Sequence, residues 1–226
     1  CGLAQLLRNP PPGYSPAGSG VKSVAGPSAS PREVVRQPIF WLLWVVYFIG
    51  AGAGLMVIGS VSGMAKKSLG ELAFVAVALM AVGNAGGRVL AGLLSDRIGH
   101  RWTLMLVLLL QAGLMFAAVP LTAGGGSGAV SIVVLAVLIG ANYGANLSLF
   151  PSLTKDLWGL KSFGMNYGVL FTAWGMGGMV LPRLQQTLTA NSGGSYASSF
   201  QTAGALLIAG GLLSFWVQNP LEKRAV

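Results

Sequence analysis

The chain has 226 residues, of which 54% are hydrophobic and 8% are charged, and its mean hydropathy is +0.70. Soluble domains carry about 25% charged residues, so this composition indicates an integral membrane protein. The net charge of +9 does not indicate nucleic-acid binding, because the Lys and Arg residues are scattered near the ends of apolar segments. With one cysteine, one histidine and five acidic residues, the sequence offers no disulfide framework, metal site or catalytic constellation. We therefore expect no enzyme, no cofactor and no metal.

Residues 1–38 are rich in proline, glycine and serine and poor in large apolar side chains. This composition cannot build a core, so it predicts a flexible linker. The opening CGLAQLL is typical of the last turns of a helix that begins upstream. Because the first residue is not Met, we expect the chain to be a fragment whose start is missing.

Six apolar segments follow the linker, and each is long enough to cross a bilayer as a helix of about 20 residues. They predict a six-helix bundle over residues 39–218 and a short tail over residues 219–226. The predicted spans are Ile39–Gly63, Glu71–Leu94, Trp102–Thr122, Ala129–Phe150, Ser162–Leu181 and Tyr196–Val217.

Proline and glycine residues add detail to these spans. Pro151 is predicted to end the fourth span and Pro182 the fifth. Lys155 and Asp156 then fall in a polar loop, at a cytoplasmic gate or in solvent. Glycines four residues apart predict close contacts between helices. These pairs are Gly50 and Gly54, Gly83 and Gly87, Gly140 and Gly144, and Gly164 and Gly168.

The distribution of Lys and Arg predicts the orientation of the bundle. One side of the membrane receives the linker, the tail and two of the loops, and it carries ten of these residues. They are Arg8, Lys22, Arg32, Arg36, Arg97, Arg101, Lys155, Lys161, Lys223 and Arg224. The opposite side carries only Lys66, Lys67 and Arg183. The positive-inside rule therefore predicts that both termini are cytoplasmic.

Arg88 lies within the second span, where a charge costs about 3 to 17 kcal/mol in hydrocarbon. The polar loop is predicted to begin at Asp96, which puts Arg88 about 12 Å from the membrane edge, at 1.5 Å per residue. That depth is near the middle of a hydrocarbon core about 30 Å thick. We predict that Arg88 faces a solute pathway. The alternative is a structural arginine that pairs with the carbonyl groups of a neighbouring helix.

The segment that follows Arg88 carries a recognisable motif. Residues 92–101 read GLLSDRIGHR. This resembles the loop signature of the major facilitator superfamily, G-x-x-x-D-[RK]-x-G-[RK]-[RK], and departs from it only at His100. In that family the loop is a conformational latch between the two halves of the transporter. The matching residues, which the resemblance assigns to this latch, are Gly92, Asp96, Arg97, Gly99 and Arg101.

Physical reasoning gives the motif residues separate roles, with a simple positively charged turn as the alternative. Gly92 is predicted to permit close helix contact, and Asp96 to cap a helix end or to pair with an arginine. Arg97 and Arg101 are predicted to meet the anionic leaflet of the membrane.

The resemblance implies a fold. The superfamily has twelve spans in two halves of six, and the second copy of the motif lies between spans eight and nine. The six spans here would be spans seven to twelve, so we expect an all-α membrane protein that forms the C-terminal half of this fold. Residues 1–38 would connect the halves, and the N-terminal half would be a missing partner.

A narrower resemblance concerns the segments LLRNPPPGYSPAG, VVRQPIFWLLWVVYF and NYGVLFTAWGMGG, the last over residues 166–178. They are similar to the oxalate/formate antiporter family. In it, and in the related monocarboxylate transporters, an arginine in the eighth span binds the substrate carboxylate, and Arg88 occupies that place. The chemistry agrees, because a guanidinium group is a permanently charged fork that matches a carboxylate.

Two positions depart from these families. Monocarboxylate transporters have a proton-coupling aspartate one turn before the arginine, where this chain has Asn84. The oxalate-exchanging branch has a lysine in the eleventh span, where this chain has Trp174 and no Lys or Arg before Arg183. One buried positive charge would neutralise a dianion poorly, so the resemblance and its departures together favour a monoanion over oxalate.

Four further residues complete the candidate site beside Arg88 and Asn84. Phe171 and Trp174 share a helix face and either line an anion cavity or serve as packing. Tyr143 and Asn146 are polar groups in the fourth span, so they face either the cavity or a neighbouring helix.

These observations predict a secondary transporter of small organic anions in a lipid bilayer, working by alternating access. The family resemblance favours a bacterial inner membrane. One alternative is a transporter of a neutral or cationic solute, with Arg88 structural. Another is a self-contained six-span channel or scaffold, although paired Asn-Pro-Ala motifs of the aquaporin kind are absent from the sequence.

Overall fold

A computed structural model of the chain describes residues 29–123 and 128–217. The described residues form helices without any β-strand, as the sequence predicts. The helices are α1 (Pro31–Arg36), α2 (Pro38–Leu69), α3 (Ala73–Ile98), α4 (His100–Ala123), α5 (Ala129–Trp158), α6 (Phe163–Asn191) and α7 (Ala197–Ser214), with a 3₁₀ turn over Gly70–Leu72 between α2 and α3.

Five of the long helices, α2, α3, α4, α5 and α7, are long and apolar enough to cross a membrane. The sixth, α6, has 29 residues, so its length also suffices. Its apolar stretch is diluted by polar side chains such as Asn166 and Thr172 and by several glycines. A helix of this composition suits a position inside a bundle better than one surrounded by lipid.

The closest packing in the bundle is between α3 and α5. A Cβ atom added at Gly83 or Gly87 of α3 would collide with the main-chain carbonyl groups of Val137 or Ala141 in α5. The relation is reciprocal, because Gly140 and Gly144 of α5 face the carbonyl groups of Met80 and Asn84. These two predicted glycine pairs are confirmed as helix contacts.

The other two predicted pairs do not face the backbone of a neighbouring helix. Gly54 faces the ring of Tyr143, with 2.7 Å from an added Cβ to Cδ2, and Gly50 faces Leu108 at 3.0 Å. Around Gly164 and Gly168, no atom of another described helix lies within 4 Å of an added Cβ, so the prediction of close packing there is wrong for the described part of the chain. Four-residue spacing alone does not tell which face of a helix meets a neighbour.

Helix α3 is buried along one narrow face only. Its buried residues follow a spacing of three or four and are Ala76, Met80, Gly83, Gly87, Ala91 and Ser95. The rest of the helix, including Arg88, is largely exposed in this chain. Packing against α5 thus fixes the rotation of α3 and leaves Arg88 open.

The predicted breaks at Pro151 and Pro182 are wrong, because α5 and α6 continue through both residues. Proline is tolerated in membrane helices where neighbouring groups satisfy the freed backbone. Near Pro151, the hydroxyl groups of Ser148, Ser152 and Thr154 donate hydrogen bonds to backbone carbonyls within the helix, at 2.8 to 3.0 Å. As a result, Lys155 and Asp156 lie in the last turns of α5 rather than in a loop.

The charged motif is also more helical than predicted. Asp96 and Arg97 belong to α3, which ends at Ile98, and α4 begins at His100. Only Gly99 separates the two helices, with φ at 85° and ψ at 152°. A side chain would be strained in this backbone conformation, so the junction requires glycine. The predicted loop is reduced to one residue.

The end of the predicted flexible linker is folded. Ser30 and Glu33 form a capping box at the start of α1, and Val34 is fully buried. The amide of Ala29 donates to the carbonyl of Trp158 at 3.2 Å, and the Asn166 side chain donates to the carbonyl of Ala29 at 3.0 Å. Residues 29–38 therefore pack on the end of α5 and the start of α6, while residues 1–28 and the tail from 218 lie outside the described residues.

Candidate solute-binding site

Arg88 lies on α3, with one tyrosine of α5 and one of α6 within range of its charge. Its charge is close enough to act on the hydroxyl groups of Tyr143 in α5 and Tyr167 in α6. No carboxylate of the described residues forms an ion pair with Arg88. Because α3 ends at Ile98, Arg88 is about 15 Å from that end along the helix axis, which agrees with a deep position in the membrane.

The aromatic residues form a continuous wall along α6. Phe171 stacks on Trp174 with ring centroids 5.0 Å apart and an interplanar angle of 10°. Tyr167 lies 5.5 Å from Phe171, and its hydroxyl is 3.2 Å from the hydroxyl of Tyr47 in α2. Residues 167, 171 and 174 are four and three positions apart, so they share one helix face. We call this group, together with Tyr143 and Tyr47, the aromatic wall.

A hydrogen bond fixes the orientation of Tyr143 within the wall. The indole Nε1–H of Trp174 donates to the hydroxyl oxygen of Tyr143 at 2.7 Å. An indole nitrogen is a donor only, so the Tyr143 oxygen is the acceptor and its own hydrogen is left to donate elsewhere. Tyr143 thus offers a hydrogen-bond donor close to the positive charge of Arg88. An arginine and an oriented hydroxyl donor together are suited to an anion.

The remaining charges of the chain do not neutralise this site. The five acidic residues are Glu33, Glu71, Asp96, Asp156 and Glu222, and those that the structure describes lie at the ends of helices. Arg88 is therefore exposed and has no described acid as an ion-pair partner. The electrostatic character of the described site is positive.

The two predicted asparagines occupy different environments. Asn84 is one turn before Arg88 on α3 and is half-buried, and its backbone carbonyl contacts Gly144. Asn146 is fully buried, and its amide donates to the side chain of Gln111 in α4 at 3.3 Å and to the carbonyl of Asn142 at 3.1 Å. The structure does not bring Asn146 to the exposed side where Arg88 lies, because its side chain turns into the bundle.

Sequence reasoning missed Tyr167 and Tyr47. Tyr167 precedes Phe171 by one helical turn, so extending the face of Phe171 and Trp174 would have found it. Tyr47 is a fully buried residue of α2, and its ring stacks on Phe150 with centroids 3.8 Å apart. A tyrosine in an otherwise apolar span gave the only signal for it.

The motif residues at the end of α3 do not make the contacts that the sequence predicts for them. No atom of another described helix lies within 4 Å of an added Cβ at Gly92, so the predicted close helix contact is wrong among the described residues. Asp96 and Arg97 are exposed, and neither forms an ion pair within the described ranges. The predicted pairing of Asp96 with an arginine is thus not found in this part of the molecule.

A different acid is paired at this end of the bundle. Nδ1 of His100, the one motif position that departs from the superfamily pattern, lies 2.8 Å from Oδ2 of Asp156. Lys155 lies 3.7 Å from the other carboxylate oxygen. This contact joins the start of α4 to the end of α5 and gives Asp156 a definite partner.

A comparison with protein-family models identifies the family. The model of the Major Facilitator Superfamily matches residues 56–226. The chain belongs to the major facilitator superfamily. Its all-α fold and its apolar helices agree with this assignment, and the predictions of superfamily membership and of an integral membrane protein are confirmed.

Several curated proteins are similar to the chain. It is 32% identical over 153 residues to the uncharacterized MFS-type transporter YhjX of Escherichia coli K12, covering 64% of this chain and 36% of that protein. It is 30% identical over 203 residues to the MFS transporter asaE of Aspergillus flavus, covering 90% of this chain and 43% of that protein. It is 32% identical over 145 residues to the oxalate:formate antiporter of Oxalobacter formigenes, covering 62% of this chain and 34% of that protein.

The chain spans less than half the length of each of these three relatives. All three names are those of transporters, and none names an enzyme. The comparisons therefore show that the chain belongs to the superfamily and that these three relatives are named as transporters.

Proposed function

We propose that the chain forms the C-terminal half of a secondary active transporter that moves small organic anions across a membrane by alternating access. The observation that carries this proposal is Arg88, an exposed arginine without a carboxylate partner among the described residues, with the Tyr143 hydroxyl within range of its charge. A structural arginine would instead be expected to hold a partner on a neighbouring helix. An unpaired intramembrane charge is by default functional.

The substrate class follows from the same groups. A guanidinium fork matches the geometry of a carboxylate, and the Tyr143 hydroxyl supplies one more donor. The position that carries a lysine in the oxalate-exchanging branch is Trp174 in this chain, so Arg88 is the one positive charge that we propose for this half of the site. We therefore propose a monocarboxylate or formate in preference to oxalate. The similarity to a protein named as an oxalate:formate antiporter supports a small carboxylate.

The coupling is proposed to be exchange. The residue one turn before Arg88 is Asn84, whose amide cannot carry a proton. No acid of the described residues lies at the site, so a proton-coupling group of the kind found in monocarboxylate transporters is lacking there. Exchange of one anion for another needs no such group.

The exposure of Arg88 supports a site shared with a second six-span half. Superfamily transporters bind solute near the midplane, between two halves that rock about it. We propose that residues 1–38 connect the halves, that both termini are cytoplasmic and that the membrane is a bacterial inner membrane. The latch residues Gly92, Asp96, Arg97, Gly99 and Arg101 would then lie on the cytoplasmic side.

Counterflow in proteoliposomes tests the proposal. The intact protein would be reconstituted and offered formate, lactate, pyruvate and oxalate, with a neutral sugar as a control solute. Loss of a charged hydrogen bond costs about 1.5 to 3 kcal/mol, so Arg88→Gln should weaken apparent carboxylate affinity roughly 10- to 100-fold.

The matched control is Arg183→Gln, which removes an exposed arginine from the far part of α6. It should leave carboxylate affinity unchanged. Unchanged affinity in Arg88→Gln, or exchange of the sugar but of no carboxylate, would contradict the proposal.

A further inference from the structure

The outer surface of α4 and α7 carries a cation that no predicted solute site uses. The two helices pack side by side and expose large apolar side chains along their length. These are Leu106, Leu109 and Leu110 of α4 and Ile208 and Leu212 of α7. A continuous apolar surface on a membrane protein is suited to lipid acyl chains.

Aromatic residues cluster at one end of this surface, where α4 begins and α7 ends. Trp102, Phe215 and Trp216 are 42%, 48% and 60% exposed. The rings of Trp102 and Phe215 meet edge to face with centroids 6.1 Å apart, and Phe215 meets Trp216 in the same manner at 5.9 Å. Exposed tryptophans at the ends of membrane helices are typical of the level of the lipid headgroups.

Arg101 lies in the middle of this cluster. Its guanidinium carbon is 4.6 Å from the ring centroid of Phe215 and 5.1 Å from that of Trp102. Its Nε atom is buried and has no hydrogen-bond partner among the described residues. No described carboxylate lies within ion-pair distance of it. The rings hold the guanidinium group in place while its charge stays unneutralised.

We propose that this cluster binds the phosphate headgroup of an anionic phospholipid, with Arg101 as the cation and Trp102 and Phe215 as the platform that holds it. The lipid's acyl chains lie along the apolar surface of α4 and α7. A soluble anion would not gain from that apolar surface, which is why the site is assigned to a lipid. Basic pockets between membrane helices are known to suit anionic headgroups by this chemistry.

Lipid titration by native mass spectrometry tests the assignment on the intact protein in an uncharged detergent. The probes are phosphatidylglycerol, phosphatidylcholine and inorganic phosphate. Wild-type protein should bind phosphatidylglycerol in preference to phosphatidylcholine, and Arg101→Gln should weaken phosphatidylglycerol binding at least tenfold. Arg97→Gln is the matched control, because Arg97 is an exposed arginine at the same end without a described ring contact. Arg97→Gln should leave binding unchanged.

Four outcomes would overturn the assignment. Equal losses in Arg97→Gln and Arg101→Gln would mean general attraction to the basic end of the bundle, and no loss in Arg101→Gln would remove its role. Competition by inorganic phosphate at the same concentration as the lipid would mean an anion site only. Phe215→Leu keeps the charge but removes one ring, so a Kd for phosphatidylglycerol that stays at the wild-type value would rule out the platform. The melting temperature of each variant without lipid checks that it is folded.

Discussion

At the scale of single residues, the site depends on how side chains are oriented rather than on which residue types are present. Arg88 and Tyr143 lie on different helices, and the Trp174 indole fixes the Tyr143 hydroxyl at 2.7 Å. Trp174 therefore acts by positioning Tyr143 as well as by its ring, which stacks on Phe171. This gives Trp174 a role that an aromatic side chain without a polar atom cannot fill.

Trp174→Phe separates the two contributions of Trp174. The new ring keeps an aromatic surface against Phe171 but cannot donate to Tyr143. A neutral hydrogen bond contributes about 1 kcal/mol, so we expect a roughly fivefold weaker apparent affinity for the transported carboxylate, measured by counterflow. Tyr143→Phe, which removes the hydroxyl itself, should weaken affinity at least as much. Wild-type affinity in both variants would show that the hydrogen bond has no part in solute binding.

At the scale of helices, packing between α3 and α5 sets the position of Arg88. Gly87 is the residue before Arg88, and a Cβ there would collide with the backbone of Ala141. A backbone carbonyl in a helix cannot move aside as a flexible side chain can. The glycines thus determine how closely α3 approaches α5 and where Arg88 points.

Gly87→Ala is expected to destabilise the protein. Overpacking of a tight contact costs about 1 to 3 kcal/mol, and the Ala141 atoms that the new Cβ would meet are backbone atoms, so we expect the upper end of that range. Thermal unfolding in detergent measures the effect. Gly168→Ala is the control, because no atom of another described helix lies within 4 Å of an added Cβ there. Alanine in a helix interior is favoured over glycine by up to about 1 kcal/mol, so the control should be neutral or stabilising. A lower melting temperature for Gly168→Ala than for Gly87→Ala would contradict this account.

At the scale of the whole molecule, the chain leaves one side of its candidate site open. Arg88 is exposed, and large apolar side chains such as Val82, Val89, Leu90 and Leu93 are exposed around it on α3. In a membrane, such a surface is covered by lipid or by another protein segment. The proposed N-terminal half would cover part of it and close the site.

The 226-residue chain by itself is therefore expected not to transport. A solute bound at Arg88 would have no second wall, and alternating access requires two halves that move about the site. Purified 226-residue chain and the intact protein would be compared by carboxylate counterflow in liposomes of the same lipid composition. Uptake by the 226-residue chain at the rate of the intact protein would contradict the two-half proposal.

The sequence by itself determined the coarse character of this protein. Hydrophobic composition and the length of the apolar segments predict membrane helices without reference to their packing. The reason is that the free-energy cost of leaving backbone polar groups unpaired in hydrocarbon applies to each segment separately. The motif over residues 92–101 is read from consecutive residues, and it predicted the superfamily correctly. Arg88 also stood out locally, since an isolated charge in an apolar segment needs no tertiary contact to be noticed.

Only the tertiary structure decided which faces of the helices meet. It showed that Pro151 and Pro182 lie within helices, because whether a proline ends a membrane helix also depends on the packing around it, which the local sequence does not show. In the structure, the Asn146 side chain turns into the bundle towards Gln111. His100 pairs with Asp156, which lies 56 positions further along the chain. The structure also added Tyr167 and Tyr47 to the aromatic wall. These contacts join residues from separate helices, and they depend on the rotation of each helix, which composition and local spacing do not fix.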